Sequence, residues 1–213
     1  MKKCILIVVV LFYQNVFCQI YTFDRFIQYN NDIGATRLFM FNSKNAGYYF
    51  IAVSYSKEIT GNIVDLENKF LHKHVVSNIK NAVKFEYLNT SLVQKSAVPC
   101  LDKDNLIEVV QTPVDSLTTT FSVLKYKNSK NKTIIQSSNI KAIKSEIPVF
   151  SIMMKYFFYH FVYCQKIDFP ENFLPTSVEI DYFNGNKSRD ELIQNKQVNV
   201  ILSLKASDIK LKN

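Results

Sequence analysis

Between residues 19 and 144, apolar and polar side chains alternate in short runs separated by turns rich in Asn, Lys, Ser and Gly. Such alternation is typical of strands that bury one face, and enrichment in Tyr, Phe, Val, Ile and Thr favours the same structure. An antiparallel meander is the simplest topology for these runs. The predicted strands cover residues 20–29, 36–42, 48–56, 61–68, 70–77, 83–89, 105–111, 119–127 and 132–138.

Two local features follow from this pattern. In the first predicted strand, a period of two places Tyr21, Phe23, Ile27 and Tyr29 on one face. The turn "SKNAG" ends in Gly47, a residue suited to a hairpin position with positive φ.

After Pro148 the alternation stops, and residues 149–164 are apolar on nearly every side. A run of about 16 residues without a turn residue favours a buried helix over a strand, although "YFFYHFVY" has high strand propensity. A membrane span is disfavoured because the run is shorter than ~20 residues and Lys155 lies near its centre.

The closing part of the chain predicts two further strands, "TSVEIDYFNGN" with its turn "FNGN", and residues 197–211. A proline-bounded loop is expected at 168–175, and "SRDELIQNK" (188–196) is expected to be a short connecting helix or loop. The predicted fold is therefore α+β and mainly antiparallel β. It is a curved sheet or half-barrel meander with one long aromatic helix, residues 149–164, packed on it.

The N-terminus has the pattern of an export signal. Lys2 and Lys3 precede an apolar run, Cys4–Phe12, and a small-residue exit ends at Cys18. The pattern predicts a secretory signal peptide over residues 1–18, cleaved after Cys18.

Two alternatives remain for this segment. Cys18 could be a lipidated first residue, although Phe17 is large for the position before such a cysteine, or the segment could be a strand or helix of the fold. Cleavage leaves residues 19–213, for which no composition shift marks a boundary, so a single secreted or periplasmic domain is expected.

The net charge is +8, and it falls to +6 if Lys2 and Lys3 leave with the signal. The positive residues are scattered in Lys-Asn turns such as "KNSKNK" (127–132), without an Arg cluster or interleaved aromatic motif. This distribution argues against nucleic-acid binding. It favours a mildly cationic surface with loose attraction to anionic lipid or polysaccharide.

Two cysteines remain after the predicted cleavage, Cys100 and Cys164. In an oxidising compartment they could form one disulfide. Free cysteine is also among the most buried residue types, so a pair of buried thiols is the alternative.

The local motif with the clearest chemical potential is "LHKHVV". If it is a strand, His72 and His74 lie on one face with Cα atoms about 7 Å apart, a spacing at which two imidazoles can share a metal ion. The alternative is two histidines on a solvent-facing side. Because the chain lacks a G-x-S-x-G motif and a phosphate-binding loop, no catalytic residues and no cofactor are predicted.

Two resemblances depend on short stretches. The exit "VFCQ", the Lys- and Asn-rich strands and "LPTSVEIDYFNGN" resemble small secreted uncharacterised proteins of the Bacteroidota. The segments "LPTSVEIDYFNG" and "VILSLKASDIKL", about 35 residues, are similar to the last hairpin of periplasmic lipoprotein-carrier-like proteins. That resemblance implies a curved antiparallel sheet around a lipid-sized cavity, and it transfers no functional residue.

These observations predict a secreted or periplasmic, non-catalytic module that binds an apolar ligand, an envelope component such as lipid, or a protein partner. The predicted helix either fills the sheet or covers a pocket. Its expected apolar surface consists of Met153, Met154, Phe157, Phe158 and Phe161. The alternative is a metal-binding protein or metal-dependent enzyme that uses the histidine pair.

Overall fold

A computed structural model of the chain describes residues 19–54, 59–79, 82–92, 105–130, 132–157, 169–170 and 172–204. These ranges contain eleven strands and one short helix, α1 (Phe150–Phe157). The strands are β1 (Gln19–Asn31), β2 (Thr36–Asn42), β3 (Asn45–Ser54), β4 (Ile59–Asp65), β5 (Phe70–Ile79), β6 (Ala82–Leu92), β7 (Leu106–Pro113), β8 (Thr118–Tyr126), β9 (Ile134–Lys144), β10 (Phe173–Asp181) and β11 (Lys187–Leu204).

All strands belong to one antiparallel sheet with the order β6-β5-β4-β3-β2-β1-β11-β10-β9-β8-β7. Each strand from β1 to β6 pairs with the next, and so does each strand from β7 to β11. The two meanders join where β1 pairs with β11, from Gln19 opposite Leu204 to Asn31 opposite Asp190. The prediction of a mainly antiparallel sheet is confirmed.

The predicted α+β class with one long helix was wrong. Helix α1 has eight residues, and the rest of the predicted helix, 158–164, lies outside the described residues. An uninterrupted apolar run indicates burial, but it carries no periodicity from which a helix length can be read. Within the described ranges, no helix is long and apolar enough to cross a membrane.

The segment 188–196 also differs from its prediction, because it is part of β11. Its Asp, Glu, Gln and Asn residues have low strand propensity, but pairing with β10 on one side and β1 on the other overrides that preference. The predicted turn "FNGN" is confirmed, with Phe183 at φ 51° and Gly185 at φ 89°.

Gly47 does not lie in the turn predicted for it, because it belongs to β3. The turn between β2 and β3 is instead held by the Asn42 side chain. Its Oδ1 accepts hydrogen bonds from the backbone N–H groups of Lys44 and Asn45, at 2.9 and 3.1 Å. An Asn side chain can stabilise a turn without glycine because it accepts hydrogen bonds from backbone N–H groups two or three residues later.

The sheet is apolar on both faces in its β1–β5 half. Along β2, Phe39 and Phe41 belong to one hydrophobic cluster, whereas Leu38 and Met40 belong to another. Successive side chains of a strand point to opposite faces. We call the side that carries Phe39 and Phe41 the first face, and the side that carries Leu38 and Met40 the second face.

Strand β1 contributes to both faces. Tyr21 and Phe23 lie in the second-face cluster, whereas Ile27 and Tyr29 lie in the first-face cluster. The prediction that all four share one face was therefore wrong. A register shift in the pairing with β11, between Phe23 and Arg25, interrupts the alternation and lets the strand change the face that it buries.

Helix α1 covers the first face. Phe150 contacts Phe121 of β8 and Phe173 of β10, with ring centroids 4.7 and 6.1 Å apart. At the other end of the helix, Phe157 contacts Tyr29 of β1 at 5.6 Å. An eight-residue helix is not stable alone, so this burial between two parts of the sheet stabilises it.

A buried ion pair lies beneath the C-terminal end of α1. Arg37 of β2 pairs with Asp190 of β11, whose side chain is 2% exposed. The Arg37 Nε also donates to Tyr156 Oη at 3.3 Å, and its guanidinium lies 5.9 Å from the Tyr156 and Phe157 ring centroids. The charged pair thus links β2, β11 and the helix.

The second face is covered by curling of the sheet itself. Phe50 of β3 and Phe85 of β6 are three strands apart, about 14 Å in a flat sheet, yet their ring centroids are 5.5 Å apart. The Phe50 ring lies over Gly61 of β4, where a Cβ atom would overlap it and would also lie 2.9 Å from the Ala52 Cβ. Gly61 therefore permits the close approach that the curl requires.

We expect Gly61→Ala to reduce the free energy of unfolding by about 2 kcal/mol, since the added methyl group must displace the fully buried Phe50 ring. Urea denaturation measures the loss. Phe50→Leu in the Gly61→Ala background should recover part of it, because the smaller side chain leaves room for the methyl group. Additive losses in the double variant would contradict this account.

We expect Arg37→Leu to destabilise the protein by about 3 kcal/mol, because it leaves the Asp190 carboxylate buried without its partner. The double variant Arg37→Leu, Asp190→Leu should be more stable than Arg37→Leu alone, since it removes both charges. The same denaturation measurement tests this order. A double variant as unstable as the sum of the two single variants would show that the charges are not coupled.

Candidate apolar groove and histidine network

An apolar groove of about 350 Å³ opens on the second face, away from α1. It lies at the end of the face where β3 ends and β4 begins, with Ser54 and Ile59 in its wall. Its larger apolar lining residues are Phe26, Leu38, Met40, Phe50, Val76 and Phe85.

Among the residues that the structure describes, none that lines the groove is charged. Besides its apolar walls, it is lined by Gln28, Thr36, Ser54 and Ser77, all neutral hydrogen-bonding residues. Mostly apolar walls with a few neutral polar groups are typical of sites for small apolar or amphipathic molecules. The volume also lies within the usual range for such sites, roughly 300 to 1,000 Å³.

A second, polar groove of about 550 Å³ lies over β8 to β11 and includes Ser122 and Asn139. Four of its five charged lining residues form ion pairs with one another, and the fifth is Asp32. Lys187 lies 2.8 Å from Asp181, and Arg189 lies 3.5 Å from Glu179. Among its described lining residues only Leu124 and Ile180 are apolar, so this groove lacks the mostly apolar wall that is typical of sites for small apolar molecules.

A buried hydrogen-bond network occupies the opposite end of the second face from the apolar groove. The Tyr21 hydroxyl donates to Asp65 Oδ2 at 2.8 Å and lies 2.9 Å from His72 Nε2. On the other side of the ring, His72 Nδ1 lies 2.6 Å from Thr90 Oγ1, which lies 2.8 Å from the Tyr87 hydroxyl. The network thus joins β1, β4, β5 and β6.

The positions of the protons follow from Asp65. Its carboxylate accepts from the Asn68 backbone N–H and side-chain amide at 2.8 and 2.9 Å, and it also accepts the Tyr21 proton. The Tyr21 oxygen must then accept from His72 Nε2–H. His72 Nδ1 is consequently the unprotonated nitrogen, which accepts from the Thr90 hydroxyl.

Burial disfavours the charged form of each ring in this network. It lowers the pKa of His72 to about 4, partly opposed by the charge of Asp65. Burial and the hydrogen bond to Asp65 raise the pKa of Tyr21. For Asp65, burial acts to raise the pKa, but the hydrogen bonds from Asn68 and Tyr21 and the charge of His72 together lower it. His72 is therefore neutral at physiological pH.

His74 occupies a second buried position on the same strand. Its Nδ1 lies 3.0 Å from the His72 backbone oxygen, and its ring centroid is 5.7 Å from that of Tyr87. Burial lowers its pKa as well. Both histidines are thus in the interior, at 0% and 2% exposure, and not on the solvent-facing side that was the alternative to a metal site.

The metal site predicted for His72 and His74 stays a prediction. Among the described residues, no group of three or more His, Cys, Asp or Glu side chains is placed to hold a metal ion. Both ring nitrogens of His72 already have hydrogen-bond partners. Metal binding through this residue would require Tyr21 or Thr90 to give up its contact.

The other predicted site residues fall into two groups. Met153 and Met154 of α1 are fully buried, and Phe157 is partly buried against the first-face cluster. The prediction that they contact a ligand remains, and the described helix fills this part of the face. The residues outside the described ranges are Phe158, Phe161, Cys100, Cys164 and the predicted signal peptide, 1–18.

The groove residues were missed by the sequence reasoning, although a signal for them existed. The stretches "RLFMF" and "YYFIAV" are nearly continuous apolar runs and do not alternate. Continuous runs indicate strands buried on both faces. These runs therefore indicated that the sheet has a second apolar face. A prediction based on strict alternation assumes only one.

No protein-family model, curated protein or solved structure matches this chain.

We expect the wild-type protein to lose stability as the pH falls from 7 to 5. The pKa of His72 is 6.5 when unfolded and about 4 when folded, so the unfolded chain binds a proton that the native state excludes in this window. The loss from His72 alone is about 2 kcal/mol. Denaturant unfolding at each pH measures it.

His72→Gln is the matched variant for this measurement, because it keeps hydrogen-bonding capacity but does not titrate. Its stability should fall by about 2 kcal/mol less between pH 7 and pH 5, with the remaining slope due to His74. An unchanged pH dependence in His72→Gln would mean that His72 is not held neutral by burial.

Proposed function

We propose that this protein is a non-catalytic binding protein for an apolar or amphipathic ligand, and that it acts in the periplasm or outside the cell. The observation that carries the proposal is the groove on the second face of the sheet, whose described lining residues are mostly apolar and carry no charge. Helix α1 covers the opposite face, so the groove stays accessible while the rest of the core is filled.

The composition of the groove supports an apolar ligand. Phe26, Leu38 and Phe85 are only partly buried, although they line it together with the buried Met40 and Phe50. Contact with a ligand would remove the accessible part of these side chains from water, which contributes about 25 cal/mol for each Å².

The export pattern of residues 1–18 and the positive net charge support action at the cell envelope. The similarity of the last hairpin to lipoprotein-carrier-like proteins agrees with a lipid or another envelope component as the ligand. A catalytic or metal-dependent role for His72 and His74 has less support, because neither residue lines the apolar or the polar groove.

We expect the wild-type protein to bind N-phenyl-1-naphthylamine, an uncharged apolar dye, in a saturable way. Gln28→Trp should weaken this binding at least tenfold, since the indole ring would occupy the groove and displace the dye, a loss of about 1.4 kcal/mol or more. Dye fluorescence during titration measures the affinity.

Ser122→Trp is the matched control, because it places the same ring in the polar groove. It should leave the affinity for the dye unchanged. The absence of saturable binding, or an equal loss in both variants, would count against the apolar groove as the binding site. Native mass spectrometry of protein purified from its host gives an independent test through a co-purifying lipid.

A further inference from the structure

One positive charge lies beside the apolar groove, next to one of its lining residues. Lys196 of β11 is directly opposite Phe26 of β1, and its Nζ lies 5.1 Å from the centroid of the Phe26 ring. Phe26 is itself a lining residue of the groove. Lys196 is exposed, so its ammonium group lies at the boundary between the apolar wall and solvent.

Lys196 differs from the other cations of the same strand. Lys187 pairs with Asp181, and Arg189 pairs with both Glu179 and Glu191. Among the described residues, Lys196 has no carboxylate within ion-pair distance, and its identified contact is the Phe26 ring. A cation over an aromatic face gains roughly 0.5 to 1 kcal/mol at an exposed site and can still pair with an anion on its other side.

We propose that the ligand is an anionic amphiphile, whose apolar chain occupies the groove and whose anionic head group pairs with Lys196. This inference rests on the proposed function. The groove has no charged lining residue among the described residues, so a charged head group is expected at its rim, and Lys196 packs there on the lining residue Phe26. The positive net charge, +8 for the whole chain and +6 without residues 1–18, also favours an anion over a cation.

The test compares decanoate with 1-decanol, which share one apolar chain and differ in charge. Isothermal titration calorimetry below the micelle concentration measures both affinities at neutral pH. The wild-type protein should bind decanoate more tightly than 1-decanol. Lys196→Gln should weaken decanoate binding about threefold, the size expected for an exposed ion pair, and leave 1-decanol binding unchanged.

Two further variants identify the source of the effect. Lys196→Arg keeps the charge and should retain the preference for decanoate. Lys141→Gln removes an exposed positive charge on β9, outside the groove, and should leave both affinities unchanged. Equal losses in Lys141→Gln and Lys196→Gln would overturn the local role of Lys196.

The outcomes separate this inference from the proposed function. If both compounds bind with equal affinity and Lys196→Gln changes neither, the head-group proposal is overturned and the apolar groove remains the binding site. If neither compound binds, both proposals are overturned. Tighter binding of decanoate that depends on Lys196, and not on Lys141, supports the anionic amphiphile.

Discussion

Tyr21 and His72 lie on β1 and β5, four strand positions apart, yet Tyr21 Oη and His72 Nε2 are separated by 2.9 Å. In a flat sheet the two strands would be about 19 Å apart. The start of β1 must therefore fold back over the second face, and it can do so because this part of the strand pairs only with β11. The groove is the part of that face that the fold-back leaves accessible.

The two faces of the sheet are covered in different ways. Both are apolar in the β1–β5 half, so each must be removed from water. On the first face, α1 supplies the missing layer and brings Met153 and Met154 into the core. On the second face, no helix among the described residues serves this purpose, and the curl across Gly61 replaces it. A helix fills its space completely, whereas a curl can leave a groove.

The strands were predictable because local alternation determines them, as β8 illustrates with buried and intermediate positions in strict turn. The face that each part of β1 buries was not predictable, because a register shift changes it and no residue pattern in the sequence indicates that shift. The short helix and the polar part of β11 depend on tertiary pairing that overrides local propensity. For the site, the sequence singled out His72 and His74, but it did not reveal that both are buried, because burial depends on how the sheet curls.

The histidine network adds directional side-chain hydrogen bonds to a face of the sheet that otherwise packs through non-directional apolar contacts. Apolar packing tolerates small shifts of β1 across β4 and β5, but the hydrogen bonds that join Asp65, Tyr21, His72 and Thr90 do not. An apolar residue at position 72 would fill the same space. It would leave the buried hydroxyls of Tyr21 and Thr90 with fewer hydrogen-bond partners, and the free-energy cost of those lost hydrogen bonds exceeds the gain from apolar packing. The imidazole is therefore suited to this position as a neutral group that accepts on one side and donates on the other, and its two contacts hold the curl from which the groove is formed.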